Sequence, residues 1–465
     1  MTDKVYGKVI RTYRGKGKLK LANGNELPCH ITIHQIETGA IYITCNLAAK
    51  VAQTTSTSQF IMSIMNFSAQ EIEYVYGKTN DGMSFKSQEK LYTIHANLAL
   101  FSTKSSELRL LAQEVDFWPE NKCHAKRYEF SVVNLEFLGN HPVQKTIIED
   151  SRKTEHIYLD LQLETPWGIA EIDRVADYDS VISKIKAQKG ISVTCTLLVK
   201  PTVHMELKSV IAKVDELCKL LSLARGTKIN WINAQSYTQA DKLCHTMLKN
   251  SIVWPFSHHS LIDPRNPNDT PFFIKKVYPA YLRRRDRYNL DIAIEQYLDA
   301  KRETAYLETR ALAAVALIDS LQQQYASGHG LTEIVKGFGK QKNGVRECLK
   351  NFITSAFPNI KKRELDEILG KIPELNRRSF LNLLKKWMGD LGLQIPDSEL
   401  SAIKDTRNSL AHRMCFKSSD KREKTREYFR LINLINQVFL KLLDYKGYFI
   451  HVNLKTLAFE RRELE

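Results

Sequence analysis

The apolar residues of this chain keep one spacing over its first half and another over its second, and that change limits the folds open to it. Over about the first 200 residues they sit in short alternating runs, as in His156-Ile157-Tyr158-Leu159-Asp160-Leu161-Gln162-Leu163 and Ile191-Ser192-Val193-Thr194-Cys195-Thr196-Leu197. Glu71-Ile72-Glu73-Tyr74-Val75-Tyr76 is a further strand. Asn23-Gly24 and Asp81-Gly82 are hairpin turns between such runs. Leu207, Val210, Ile211, Val214, Leu217, Cys218 and Leu221 then share one helix face, with Gly226 as the stop. Lys228–Ile232 returns to strand. Pro255, Pro264, Pro267, Pro271 and Pro279 break regular structure and mark a boundary or connector.

Beyond that stretch the spacing is helical to about residue 446. One long helix is expected over Asp286–Tyr325, then Val345–Phe357, Lys362–Leu369, Leu375–Leu391, one starting at Asp397 or Ser398, and Lys421–Leu443. Tyr448–Val452 adds a strand. The fold class is therefore α+β. A β-rich region, sandwich- or barrel-like with two lobes and a helix near 205–225, occupies 1–275, and a bundle of five or six helices occupies 280–465. A length of 465 residues exceeds one ordinary core, in keeping with such a division.

A formal net charge of +16 favours a polyanionic partner such as RNA. The eight cysteines are scattered without a C-x-x-C pair, which points to free thiols in a reduced, cytoplasmic compartment and away from zinc. No run approaches a membrane span, and the N-terminus lacks the apolar core of a secretory signal.

Among the 13 histidines, only His412 has an arginine five positions before it, in Arg407-Asn408-Ser409-Leu410-Ala411-His412. Leu400, Ile403, Arg407, Leu410 and Met414 follow a 3-4-3-4 spacing, which puts a guanidinium on an apolar seam. That position is costly unless the charge is paired or lines a cleft. Asn408 and His412 stack one turn apart, while Arg407 and His412 stand about 140° apart on an ideal helix. These side chains suit cleavage of RNA, which carries its own 2′-hydroxyl nucleophile. Imidazole moves the proton, guanidinium grips the phosphate and stabilises its extra charge, and the amide orients. No metal or cofactor is called for, and no competing catalytic motif stands elsewhere.

An R-N-x-x-x-H motif on a late helix of an all-α bundle resembles the HEPN superfamily. The segment Ile403–His412 carries that resemblance. The helix with Tyr306-Leu307-Glu308-Thr309-Arg310-Ala311-Leu312 resembles the opening helix of HEPN domains in ApeA-like antiphage proteins. A β-rich region before a C-terminal HEPN domain is also similar to that family. The resemblance implies a metal-independent endoribonuclease, active as a homodimer or higher homo-oligomer, that leaves a cyclic phosphate. It implies Arg407, Asn408 and His412 as the catalytic set. It further implies a dormant abortive-infection effector released by a phage-derived trigger. The rival reading is a non-catalytic module that binds RNA and dimerises.

Glu308 is in phase with Ala305, Leu312 and Val315, and so is the candidate to face the bundle and hold Arg407. Arg283, Arg284, Arg285 and Arg287, with Lys361, Lys362 and Arg363, form a basic rim for RNA phosphates. Arg377-Arg378 and Lys385-Lys386 add to it. Tyr278, Tyr281 and Tyr288 either stack bases or belong to a core.

Overall fold

The structure, a computed structural model, describes residues 8–22, 24–47, 72–88, 91–97, 106–121, 123–149, 152–188, 190–201, 205–251, 259–335 and 338–464. Asn23, Glu71, Pro255, His258 and Gly337 lie outside the described residues. The chain forms two compact units, Met1–Tyr278 with Arg302–Thr304, and Pro279–Lys301 with Ala305–Glu465.

The first unit is built on one antiparallel sheet of 15 strands among the described residues. In chain order these are β1 (Val9–Leu21), β2 (Glu26–Ile36), β3 (Ile41–Leu47), β4 (Ile72–Thr79), β5 (Ser84–Gln88), β6 (Tyr92–Asn97), β7 (Ser106–Ala112), β8 (Glu114–Trp118), β9 (Arg127–Val133), β10 (His141–Glu149), β11 (Arg152–Thr165), β12 (Gly168–Arg174), β13 (Val193–Val199), β14 (Asn230–Tyr237) and β15 (Leu243–Lys249). They lie in the order β10-β11-β12-β13-β9-β14-β15-β8-β5-β4-β1-β2-β3-β7-β6. The first eight strands thus fill one half of the sheet and the rest the other. The seam is the pairing of β15 with β8, from Thr246 opposite Phe117 to Lys249 opposite Glu114.

Alternation explains the burial. On β3, Ile41, Ile43, Cys45 and Leu47 are buried while Tyr42, Thr44 and Asn46 are only half-buried. Leu19, Ile31, Ile43, Val75 and Phe117 belong to one core cluster. Each such side chain contributes about 1.5–3 kcal/mol by leaving water. Gly17 opposes Gly77 on β1 and β4. A Cβ at Gly17 would fall 2.1 Å from the Tyr76 carbonyl oxygen, so the close strand approach excludes a side chain there. The sheet also curls. Gln35 Nε2 on β2 donates to Ile232 O on β14 at 2.6 Å, although five strands intervene between β14 and β2 in the sheet order.

Among the described residues, α1 (Tyr178–Gln188) and α2 (Leu207–Arg225) lie wholly in this unit. The second stops at Gly226 with φ 65°, where its N–H bonds Ser222 O, as the glycine predicts. The prolines are a correction. A regular helix, α3 (Asp269–Arg284), starts among them and contains Pro279. Pro271 sits in its first turn, where no N–H is needed, so only Pro279 removes a helical hydrogen bond.

The second unit is helical. Sequence spacing reads Asp286–Tyr325 as one helix, but there are two, α4 (Leu290–Lys301) and α5 (Leu307–Gly328). The Ala300 carbonyl near the break is taken by Tyr428 Oη at 2.9 Å and Arg310 Nε at 3.4 Å, so α4 can end there with that acceptor satisfied. The helices α6 (Phe338–Ala356), α7 (Lys362–Gly370) and α8 (Ile372–Leu375) follow, around a small core of Ile353, Leu365, Leu369 and Ile372. Next come α9 (Phe380–Asp390), α10 (Asp397–Arg413) and α11 (Lys421–Leu442). Helix α5 packs against α4, α9, α10 and α11, so the main bundle is five helices with α6–α8 as a side assembly. Pro396, not Asp397 or Ser398, holds the N-cap position of α10 and makes no side-chain cap, and Asp397 instead opens the first turn.

The tail forms a hairpin of β16 (Tyr448–Val452) and β17 (Phe459–Glu463). Burial, aided by Arg462, pushes the His451 imidazole down to about 4. The unfolded chain then holds an extra proton between that value and about 6.5. This part of the stability is fully present above about 6.5 and is lost as pH falls toward 4. Melting midpoints should therefore drop by several degrees more between pH 7 and 5 in the wild type than in His451→Gln. Parallel pH profiles would remove His451 as the cause.

Among the described residues, no helix is long and apolar enough to cross a membrane. No group of three or more His, Cys, Asp or Glu among them is placed to hold a metal ion.

Candidate functional site

Helix α10 carries Asp397 and Glu399 in its first turn and His412 and Arg413 in its last, as the helix dipole favours. It ends at Met414, whose φ of 58° is left-handed. Ser409 Oγ donates to Cys415 O at 2.9 Å just beyond. Its buried face is Leu400, Ile403, Thr406, Ser409 and Leu410. Met414 is 69% exposed, so it does not continue the seam that the spacing predicts. Arg407 accordingly lies at the edge of the packed face and not in its middle.

Three helices fix the Arg407 guanidinium. Its Nη2 and Nε donate to Asp319 Oδ2 of α5 at 3.0 and 3.3 Å. Its Nη1 donates to Asn408 Oδ1 at 3.2 Å, and its carbon lies 5.3 Å from the centre of the Phe380 ring on α9. The charge is half-buried because a carboxylate, an amide and a ring face accept it.

The carboxylate is a correction. Glu308 does not hold Arg407. It pairs with Lys424 Nζ of α11 at 3.0 Å, and that bond lowers its pKa. Asp319 follows Glu308 on the same helix by about three turns, on nearly the same face. Sequence phase found the face but not the level. The missed signal is that Asp319 is the only charged residue from Ala311 to Tyr325.

Arg407 lines an open cleft of about 1070 Å³, shared with Asp319, Gln323, Asn376, Arg377 and Arg378. Asn408 is half-buried beside it. His412 is exposed and makes no hydrogen bond or ion pair among the described residues. One chain therefore brings Arg407 and Asn408 together and leaves His412 apart.

The first basic run is mostly engaged. Arg283 and Arg284 both pair with Asp444 at 2.9 Å, and Arg284 also donates to the carbonyls of Lys441 and Leu442 at the end of α11. Arg285 pairs with Asp291 at 2.5 Å, and Arg287 meets His329 Nε2 at 3.3 Å. The Arg284 bonds satisfy a helix C-terminus, so its charge has a structural use. Tyr278, Tyr281 and Tyr288 are buried and serve the core, not base stacking. Lys361, Lys362 and Arg363 are exposed at the start of α7.

Comparison with protein-family models, curated proteins and solved structures gave no match to this chain.

Proposed function

We propose that this chain is a metal-independent endoribonuclease of the HEPN type, working as a homodimer or higher homo-oligomer in phage defence. The observation that carries the reading is the Arg407 guanidinium, braced by Asp319, Asn408 and Phe380 at the wall of an open cleft, with an exposed His412 on the same helix. About 140° of helix separates the two side chains, so one copy alone does not offer both to one phosphate. Two copies about a two-fold axis would put Arg407 of one and His412 of the other on either side of a strand.

In that arrangement an RNA 2′-oxygen attacks the adjacent phosphorus. The O2′–P bond forms and the P–O5′ bond breaks. An imidazole removes the 2′-hydroxyl proton, and the departing 5′-oxygen receives a proton from the partner's imidazole or from water. The guanidinium offsets the charge gathering on the phosphoryl oxygens. The products are a 2′,3′-cyclic phosphate and a 5′-hydroxyl.

The Arg407–Asp319 pair also favours a second reading, because a guanidinium already neutralised suits a module that only binds RNA and dimerises. A defined single-stranded RNA in chelator separates the two. The enzyme cuts it to cyclic-phosphate ends, and a 2′-deoxy nucleotide at the scissile position stops cleavage there. Cutting that ignores the deoxy substitution would sink the mechanism. RNA retained uncut, also by protein from phage-challenged cells, would favour the binding module.

A further inference from the structure

The cleft beside Arg407 holds more chemistry than one phosphate grip requires. Arg377 and Arg378 line it, and neither guanidinium makes a hydrogen bond or ion pair among the described residues. Arg378 Nε is buried and without a partner there. A desolvated, unpaired guanidinium atom is costly, and a bound anion would relieve that cost.

The segment that presents these arginines is pinned. Asn376, 5% exposed, donates from Nδ2 to Val335 O at 3.0 Å and accepts from Val335 N–H at 2.7 Å. Its own carbonyl accepts from Ile334 N–H at 2.8 Å. Gln322 Nε2 fixes the start of α9 through Phe380 O at 3.1 Å. The backbone that presents the two arginines is therefore fixed before any ligand arrives, which lowers part of the ordering cost of binding.

The cleft is not simply positive. Glu333 and Glu374 line it beside Arg377 and Arg378. A plain polyanion would meet repulsion as well as attraction. A nucleotide suits both signs, because its phosphate accepts from guanidinium while base amino groups donate to carboxylates. At about 1070 Å³ the cavity lies near the upper end of ligand-pocket sizes. A concave site of this kind takes splayed, unstacked bases, whereas duplex RNA is gripped across its outside.

We infer that this cleft seats unpaired RNA nucleotides next to the cleaved phosphate, with Arg377 and Arg378 holding the backbone. The identity of the ligand rests on the ribonuclease reading, while the grip of Arg377 and Arg378 on phosphate does not require cleavage.

The test uses the full chain carrying His412→Ala and a fluorescent single-stranded oligoribonucleotide of mixed sequence, read by anisotropy. Arg377→Ala with Arg378→Ala should weaken binding by roughly 10–100-fold for each arginine–phosphate bond removed. It should also reduce the slope of log affinity against log salt by about 1.4. The same sequence as a duplex should bind weakly and feel neither change. Arg377→Glu, at an exposed position, provides the same reading should the double variant fail to fold, and melting midpoints check each protein. Unchanged affinity and slope, or equal duplex binding, would overturn the inference. With His412 intact, the arginine variants should raise KM and leave kcat near wild type. Cleavage with an unchanged KM would remove the cleft while sparing the ribonuclease reading. Arginine-dependent strand binding by a protein that never cuts would do the reverse.

Discussion

On the proposed ribonuclease reading, His412→Ala should lower the rate of RNA cleavage by about 10²–10⁴-fold, the usual share of a proton-transferring side chain, and leave folding and assembly intact. The second half of that expectation follows from exposure, since His412 makes no hydrogen bond or ion pair among the described residues whose loss could disturb α10. On the same reading Arg407→Ala should remove the phosphate grip and abolish cleavage, but it also strands Asp319, so its melting midpoint should fall slightly. Expressed at matched levels in bacteria under phage challenge, wild type should leave discrete RNA fragments and halt growth, and His412→Ala should do neither. Fragmentation by both proteins would refute the assignment of His412. Intact RNA and equal growth in both, across several phages, would favour the binding module.

Glu136→Ala should destabilise the β-rich unit by about 3–5 kcal/mol, the usual cost of removing one partner from a buried ion pair. Arg225, the last residue of α2, is 2% exposed and donates from Nη2 to Glu136 Oε2 at 2.7 Å. Burial lowers its pKa, and the Glu136 carboxylate does most to oppose that. Asp263 is a weaker electrostatic neighbour, which should keep the loss from growing larger. Lys186 Nζ also reaches Glu136, at 2.5 Å, but its side chain is 38% exposed. Lys186→Ala should accordingly cost no more than about 1 kcal/mol. Urea unfolding of the two variants beside wild type reads the contrast, and equal losses would show that burial of the arginine is not what sets the cost.

What was legible in the chain follows the range of the interactions involved. The alternation in β13, the stop at Gly226 and the start of α11 near Lys421 rest on neighbours within a turn or a strand, and local spacing carries them. The helix beginning among prolines at Asp269 was not legible, because density of proline hides that Pro271 falls where an N–H is dispensable. The break between α4 and α5 leaves a carbonyl that Tyr428, more than a hundred residues away, satisfies, and local pattern carries no trace of that partner. The candidate site divides the same way. Arg407 stands out as a cation among apolar positions. Its partner Asp319 also stands out, as the only charge from Ala311 to Tyr325, but only packing of α5 against α10 chooses between it and Glu308 on one face.

The seam between β8 and β15 bears on the order of events at the ribosome. Glu114–Trp118 emerges long before Leu243–Lys249, and among the described residues no nearer segment takes its outer edge. Until then a nascent chain carries β8 as an open strand beside β5, with backbone donors and acceptors that any passing strand can meet. Loop closure over such a separation is slow. The first half of this sheet should thus need chaperones during synthesis, and a fragment cut short before residue 243 should aggregate more readily than the full chain.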